Sequence, residues 1–278
     1  MNKMNSKDIH KISLEILKDV HEFCIEHSIN YTLFGGTLIG AVRHNGFIPW
    51  DDDVDIAMPR PDYDKFVKGY NSRNGFELFA RERQRDNVFL AYARVCDLKK
   101  TFVDTAKYPW SKYQTGVWID VFPLDGMPND VTLAKQRTRK ANRLYRLTSR
   151  ARSIMATTNI KGGLVRYSKN LIWRLVLPYY KKWDKLIRVC KEVSFETSDY
   201  YANLSFGGYG FKEYCTKEVI EHYVAHRFED CEFFIMQGYD LALSSKYGDY
   251  MTPPSLEQRV GSHDYNYYWQ QEKQEPAR

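Results

Sequence analysis

Asp53 and Asp55 are separated by a single residue. On a β-strand, residues two apart face the same side, so the spacing predicts two carboxylates projecting together while Val54 and Ile56 enter the core. Two such groups repel each other and persist cheaply only with a cation between them. Hard oxygen ligands favour Mg²⁺ or Mn²⁺. A third acid, Asp120, sits inside the apolar run Trp118-Ile119-Asp120-Val121-Phe122. Burial there is costly unless the acid is paired or binds a metal. Asp51 and Asp52 fall out of phase with the strand pair, or on a loop, and receive at most a supporting role. Gly35-Gly36-Thr37 joins a strand to a helix, where helix N–H groups can be directed at phosphate. Arg43 and Arg60 could pair with phosphate bidentately, or be ordinary surface arginines. His44 and His263 could move protons, or be structural. Asp125, before Gly126, reads as a turn residue.

The elements that must position these groups follow from periodicity. Ile9, Ile12, Ile16, Leu17, Val20 and Phe23 mark one face of an amphipathic helix of about six turns. Tyr31 to Phe34 reads as a short strand, Thr37 to Val42 as a helix closed by Asn45-Gly46, and Asp53 to Met58 as a strand stopped by Pro59 and Pro61. Asp62 to Tyr70 reads as helix. Phe76 to Ala80, Val88 to Asp97 and Gly116 to Phe122 read as strands, the last ended by Pro123. A strand near Phe228 to Met236 and a helix near Asp240 to Lys246 complete an α+β plan of helices on a small sheet.

Length and composition suit one large domain, or one domain with an appendage. The five cysteines, Cys24, Cys96, Cys190, Cys215 and Cys231, form no CxxC pair and read as free thiols in a reducing compartment. Charges interrupt every apolar run of the N-terminus, and no run reaches transmembrane length, so a cytoplasmic protein is expected. Charge is unevenly spread. Val131 to Lys191 holds 17 Lys or Arg and one acid, Asp184, a net +16, leaving −10 for the rest of a chain of net +6. Such a block usually meets something anionic. Leu144, Leu147, Leu164, Leu171, Ile172, Leu175 and Val176 add an apolar stripe, flanked by Trp173 and Trp183. The combination suits a helix lying in a membrane interface, or an insertion packed on the domain.

The run Gly36-Thr37-Leu38-Ile39-Gly40-Ala41-Val42-Arg43-His44-Asn45-Gly46-Phe47-Ile48-Pro49-Trp50-Asp51-Asp52-Asp53-Val54-Asp55-Ile56-Ala57-Met58-Pro59-Arg60 resembles the signature of the LicD family, within the nucleotidyltransferase superfamily. So does Trp118-Ile119-Asp120-Val121-Phe122-Pro123-Leu124-Asp125-Gly126, and Lys246-Tyr247-Gly248-Asp249-Tyr250-Met251 with Pro253-Pro254 and Arg259 resembles the family's end. The resemblance covers about Ile9 to Asp130 and Phe228 to His263. It implies a nucleotidyltransferase-type, polymerase-β-like fold, with a catalytic core over 1–130 and a C-terminal part over 193–278 completing it; the charge count sets the basic, helical block over 131–192 apart as an insertion that carries none of the resemblance.

The resemblance also implies chemistry. A phosphoalcohol, phosphocholine being favoured, would move from a CDP-alcohol to a sugar hydroxyl of a cell-surface glycan such as teichoic acid or lipopolysaccharide, or its lipid-linked precursor, releasing CMP. Asp53, Asp55 and Asp120 would hold Mg²⁺ or Mn²⁺, two ions in the usual arrangement. Gly35, Gly36, Thr37, Arg43 and Arg60 would hold the donor, and Tyr265, Tyr267, Tyr268 and Trp269 could cage a quaternary ammonium. The basic block would attach the enzyme to the inner face of the cytoplasmic membrane, with no nucleic acid involved. A true nucleotidyltransferase releasing pyrophosphate would use the same carboxylates. A non-enzymatic adaptor for membrane or nucleic acid would need only the basic block.

Overall fold

A computed structural model describes residues 2–105, 110–156, 179–259 and 265–270. The chain opens with α1 (Ser6–Glu26), whose expected apolar face is buried from Ile9 to Phe23. Asn5 and Asp8 form a reciprocal capping box at its start. Then follow β1 (Thr32–Leu33), α2 (Gly35–His44), β2 (Asp55–Pro59), α3 (Arg60–Gly69), β3 (Phe76–Phe79), β4 (Ala93–Asp97), β5 (Thr101–Asp104) and β6 (Trp118–Met127). Helix α2 ends on Asn45, which adopts the left-handed conformation that the Asn-Gly pair predicts.

The sheet runs β1-β2-β6-β4-β3, and β2 and β6 are its parallel pair. The architecture is mixed α+β, as expected. Its main core lies between this sheet and the helices, with α1 contributing one whole face.

Strand β6 does not stop at Pro123. In its parallel register Asp120 donates its N–H to Val54 O on the β2 side, so Phe122 and Leu124 also direct theirs that way. The missing N–H of Pro123 therefore falls on the opposite side. There β4 pairs only as far as Val121, and the next strand, β7 (Tyr200–Ala202), begins at Asp125. Proline is tolerated where the ladder has a gap. Asp125 is consequently a buried strand residue and not a turn residue.

Other boundaries shift for similar local reasons. Residues 89–92 precede β4 outside any strand, and Val88 forms an isolated bridge with Ser111 while its carbonyl accepts from the Arg81 guanidinium at 2.9 Å. The strand expected near Phe228 to Met236 is a hairpin of β9 (Tyr223–Phe228) and β10 (Cys231–Met236), turning at Glu229 with φ +58°. Short β8 (Cys215–Thr216) pairs with β7, and β11 (Asn266–Trp269) pairs with β5.

The basic block is helical where it is described, in α4 (Val131–Ala156) and α5 (Tyr179–Cys190). The two helices pack together over a second apolar cluster containing Ala134, Ala141, Leu144, Leu186 and Val189. Arg137 is buried between them and donates to the Val189 and Cys190 carbonyls at 2.8 Å. Trp183, expected at a membrane interface, is 2% exposed. Its ring packs on Phe89 and under Arg81, which also binds Asp184 at 3.0 Å. It is a core residue, because α5 uses that face to dock on the 80–89 segment. Leu164, Leu171, Ile172, Trp173, Leu175 and Val176 lie outside the described residues. The last helix is α6 (Tyr239–Tyr247). Among the described residues, no helix is long and apolar enough to cross a membrane, and all five cysteines are free.

Candidate active site

Strands β2, β6 and β4 place three charged side chains in one row. Asp55 is directly opposite Asp120 in the parallel register, and Asp120 directly opposite Arg94 in the antiparallel one. Directly opposed residues share a face of the sheet, so all three meet on one surface. Arg94 donates from Nε to Asp120 Oδ1 at 2.5 Å and from Nη2 to Oδ2 at 3.2 Å. Its guanidinium packs on both Trp118 and Trp110, 4.3 and 4.6 Å from their ring centres.

This row forms the wall of a cavity of about 310 Å³, also lined by Gly36, Asp51 and Asp53. Asp53 precedes β2, which starts at Asp55, yet the alternation still holds: Val54 and Ile56 are fully buried while Asp53 and Asp55 line the cavity. Carboxylate oxygens of Asp51, Asp52 and Asp53 lie within 4.8 Å of one another. The loop carrying them is pinned by His10, whose Nε2 donates to the Asp51 carbonyl at 2.6 Å. Asp51 thus belongs to the site wall, a larger part than its position out of phase with the strand suggested. Burial holds the Asp55 carboxyl well above the usual carboxylate range, and Asp53 and Asp120 push the same way, against Lys246.

The glycine pair is dictated by this crowding. Gly35 has φ +57°, and a Cβ there would lie 2.9 Å from Asp55 Oδ2. A Cβ on Gly36 would lie 2.5 Å from Asp51 Oδ2. Helix α2 starts at Gly35, two residues earlier than expected, and its first intrahelical bond is Leu38 N–H to Phe34 O. The N–H groups before it are those a helix start presents to an anion. Thr37 Oγ1 accepts the Asp55 N–H at 2.8 Å, tying the helix start to β2.

Arg60 is placed elsewhere. It is buried, with Nε bonded to Asp125 Oδ1 at 2.7 Å and Nη1 to Asp64 at 3.4 Å. Arg43 donates to the Tyr250 carbonyl at 2.5 Å and to His44 Nδ1 at 3.3 Å. Neither arginine is among the residues that line the cavity, and both are held by the partners just named. Burial, then Arg43 and Arg259, lower the His44 pKa. His263 lies outside the described residues. Tyr267 and Tyr265 pack their rings on Trp118, away from the cavity.

The remaining wall was not foreseen. Phe34, Tyr92, Phe122 and Phe206 form an aromatic side, with Tyr92 4.6 Å and Phe206 5.9 Å from Phe122 between ring centres. Lys246 enters from α6, donates to Glu213 Oε1 at 2.5 Å, and lies 3.9 Å from the Tyr209 ring centre. Arg94 carried a readable signal: like Asp120, it is a charge inside an apolar strand, and two such residues suit each other. Residues Asn203 to Glu213 carried none.

Residues 28–145 match the family model described as LicD/FKTN/FKRP, nucleotidyltransferase domain. This stretch, which holds the aspartates of the cavity wall, is similar to the LicD type of transferase. The chain is 29% identical, over 95% of its length and 97% of the relative's, to the lipopolysaccharide cholinephosphotransferase LicD of Haemophilus influenzae. Uncharacterized proteins of Rickettsia typhi and Rickettsia prowazekii are 30% and 29% identical over 41% of this chain, covering 43% and 51% of their own lengths.

Proposed function

We propose that the protein transfers phosphocholine from CDP-choline to a sugar hydroxyl of a cell-surface glycan or its lipid-linked precursor, releasing CMP, on a nucleotidyltransferase-type fold. The observation that carries this reading is the Asp55–Asp120 pair facing one cavity with an aromatic wall. The full-length relative named as a cholinephosphotransferase supports the choice of alcohol. Asp53 and Asp55, with Asp51 beside them and Asp120 opposite, make an all-oxygen donor set that fits Mg²⁺ or Mn²⁺. Bound there, such ions would neutralise phosphate charge as it is transferred.

The chain's own groups do the rest. The first N–H groups of α2, at Gly36 and Thr37, hold the donor diphosphate. Arg94 fixes Asp120, which accepts the proton of the sugar hydroxyl. Tyr92, Phe122 and Phe206 receive the trimethylammonium group, which has no N–H to donate and is attracted to ring faces. The exposed basic face of α4 attaches the enzyme to an anionic membrane leaflet. Four CDP-alcohols, of choline, ethanolamine, glycerol and ribitol, tested for CMP release with a lipid-linked acceptor, check the reading. CDP-choline should be turned over fastest. Pyrophosphate released from an NTP, with no CMP from any of the four, would establish the nucleotidyltransferase alternative.

A further inference from the structure

A second cavity, of about 480 Å³, opens on the other side of the acidic loop. Its walls come from the N-terminal segment, from Trp50 and Asp52, and from Tyr265 and Tyr267 at β11. Segments 2–4 and 267–269 are joined here: Met4 N–H donates to Tyr267 O and Trp269 N–H to Asn2 O, each at 2.9 Å. The cavity is therefore a built feature, closed by backbone hydrogen bonds between distant segments.

Its chemistry differs from that of the catalytic cavity. Three aromatic rings, of Trp50, Tyr265 and Tyr267, stand beside the polar side chains of Asn5, Ser6 and Asp52. Asn5 commits its side-chain oxygen to the Asp8 N–H at 3.0 Å, so its amide nitrogen is the donor that remains. A sugar ring needs this mixture: flat apolar surface for its C–H faces, and acceptors and donors for its hydroxyls. Lys3 and Asp52 put one charge of each sign on the wall, which gives a phosphate no net attraction, and an aliphatic chain would not need Asn5 and Ser6.

The position supplies the link to catalysis. Asp52 lines this cavity while its neighbours Asp51 and Asp53 line the catalytic one. The three carboxylates lie within 4.8 Å of one another. A ligand seated on Asp52 is thus one residue away from the acids where phosphate would be transferred. Tyr267 lines the second cavity beside Asp52.

We infer that this second cavity is the acceptor subsite, holding a saccharide ring against Trp50, Tyr265 and Tyr267 with its hydroxyls on Asp52 and Asn5. The inference rests on the proposed glycan acceptor, and it assigns the C-terminal tyrosines to the sugar and not to the choline group. Arg259, over Trp50 at 4.9 Å from the ring centre, fixes the tilt of that ring.

The test uses the full chain and a lipid-free core oligosaccharide of lipopolysaccharide. In the wild type, saccharide should slow amide hydrogen exchange at 2–9 and 265–269. Tyr265→Ala should raise the acceptor KM at least tenfold while the CDP-choline KM stays within twofold, and Tyr265→Phe should restore most of the loss. Protection confined to other segments, or an unchanged acceptor KM in folded Tyr265→Ala, would overturn the subsite. Where the oligosaccharide is silent, the same exchange and KM measurements with a lipid-linked acceptor decide it on the same criteria. If wild type releases no CMP from CDP-choline, the proposed function fails by itself. The exchange map then still decides whether saccharide binds here.

Discussion

Asp55 and Asp120 stand directly opposite each other on neighbouring parallel strands, with no residue of either strand between them. Asp120 answers the buried Arg94 guanidinium. Burial, then Asp53 and Asp120, hold the Asp55 carboxyl beside it well above the usual carboxylate range. On the proposed reading this is the face of the sheet that works on the donor.

Replacing either acid with its isosteric amide should leave the fold unchanged and stop turnover. Asp55→Asn and Asp120→Asn should each lower kcat by ~10³-fold or more, because several kcal/mol of charge stabilisation is lost. Circular dichroism should match wild type. Activity within tenfold of wild type in either variant would falsify their catalytic placement, and retention of biological function in Asp53→Asn would favour the adaptor reading. EDTA should abolish activity, with Mg²⁺ or Mn²⁺ restoring it.

Acid should inactivate the enzyme sooner than an ordinary carboxylate site. Burial, Asp53 and Asp120 raise the Asp55 pKa, so its carboxyl keeps its proton to higher pH. Only the ionised form binds a cation, so activity is present above that pKa and is lost as pH falls through it. Metal competes with the proton. Raising Mg²⁺ should therefore move the acid limb of the kcat/KM profile to lower pH. An acid limb that ignores Mg²⁺ concentration would detach Asp55 from metal binding.

Arg60 should matter for stability and not for the donor. Its side chain is 9% exposed and that of its partner Asp125 is 0%. Removing one partner of such a pair leaves a buried charge unsatisfied and costs about 3–5 kcal/mol. Arg60→Ala should lower the urea midpoint by a corresponding amount while the folded fraction keeps its CDP-choline KM. A tenfold rise in that KM with normal stability would return Arg60 to the phosphate.

Membrane attachment should depend on the charge of α4 and not on Trp183. Lys135, Arg139, Arg143, Arg146 and Arg150 are exposed and recur at helical spacing along one face. Each is worth up to ~1 kcal/mol near an anionic surface. Liposome sedimentation should rise with anionic lipid, weaken in high salt, and drop with Arg139→Glu, Arg143→Glu and Arg146→Glu combined. Trp183→Ala should cost about 3–5 kcal/mol of stability, as a large core deletion does. Equal pelleting with neutral and anionic vesicles would remove the electrostatic attachment.

The sequence by itself determined the parts whose chemistry is local. The apolar period of α1, the glycine pair at the start of α2, the alternation Asp53-Val54-Asp55-Ile56 and the acid in β6 were all readable, because helix and strand geometry fixes which neighbours share a face. It could not decide pairings between segments far apart in the chain. That Asp120 faces Arg94, 26 residues away, and that Arg60 is taken by Asp125, 65 residues away, follows from strand register and helix docking. The same holds for Lys246 and Glu213 entering the cavity, for Trp183 turning inward, and for Tyr265 and Tyr267 meeting the N-terminal segment. A side chain's type and its near neighbours limit what it can bind. Only the closed tertiary structure settles which of several willing partners lies within 3 Å of it, because burial and register are properties of the whole chain.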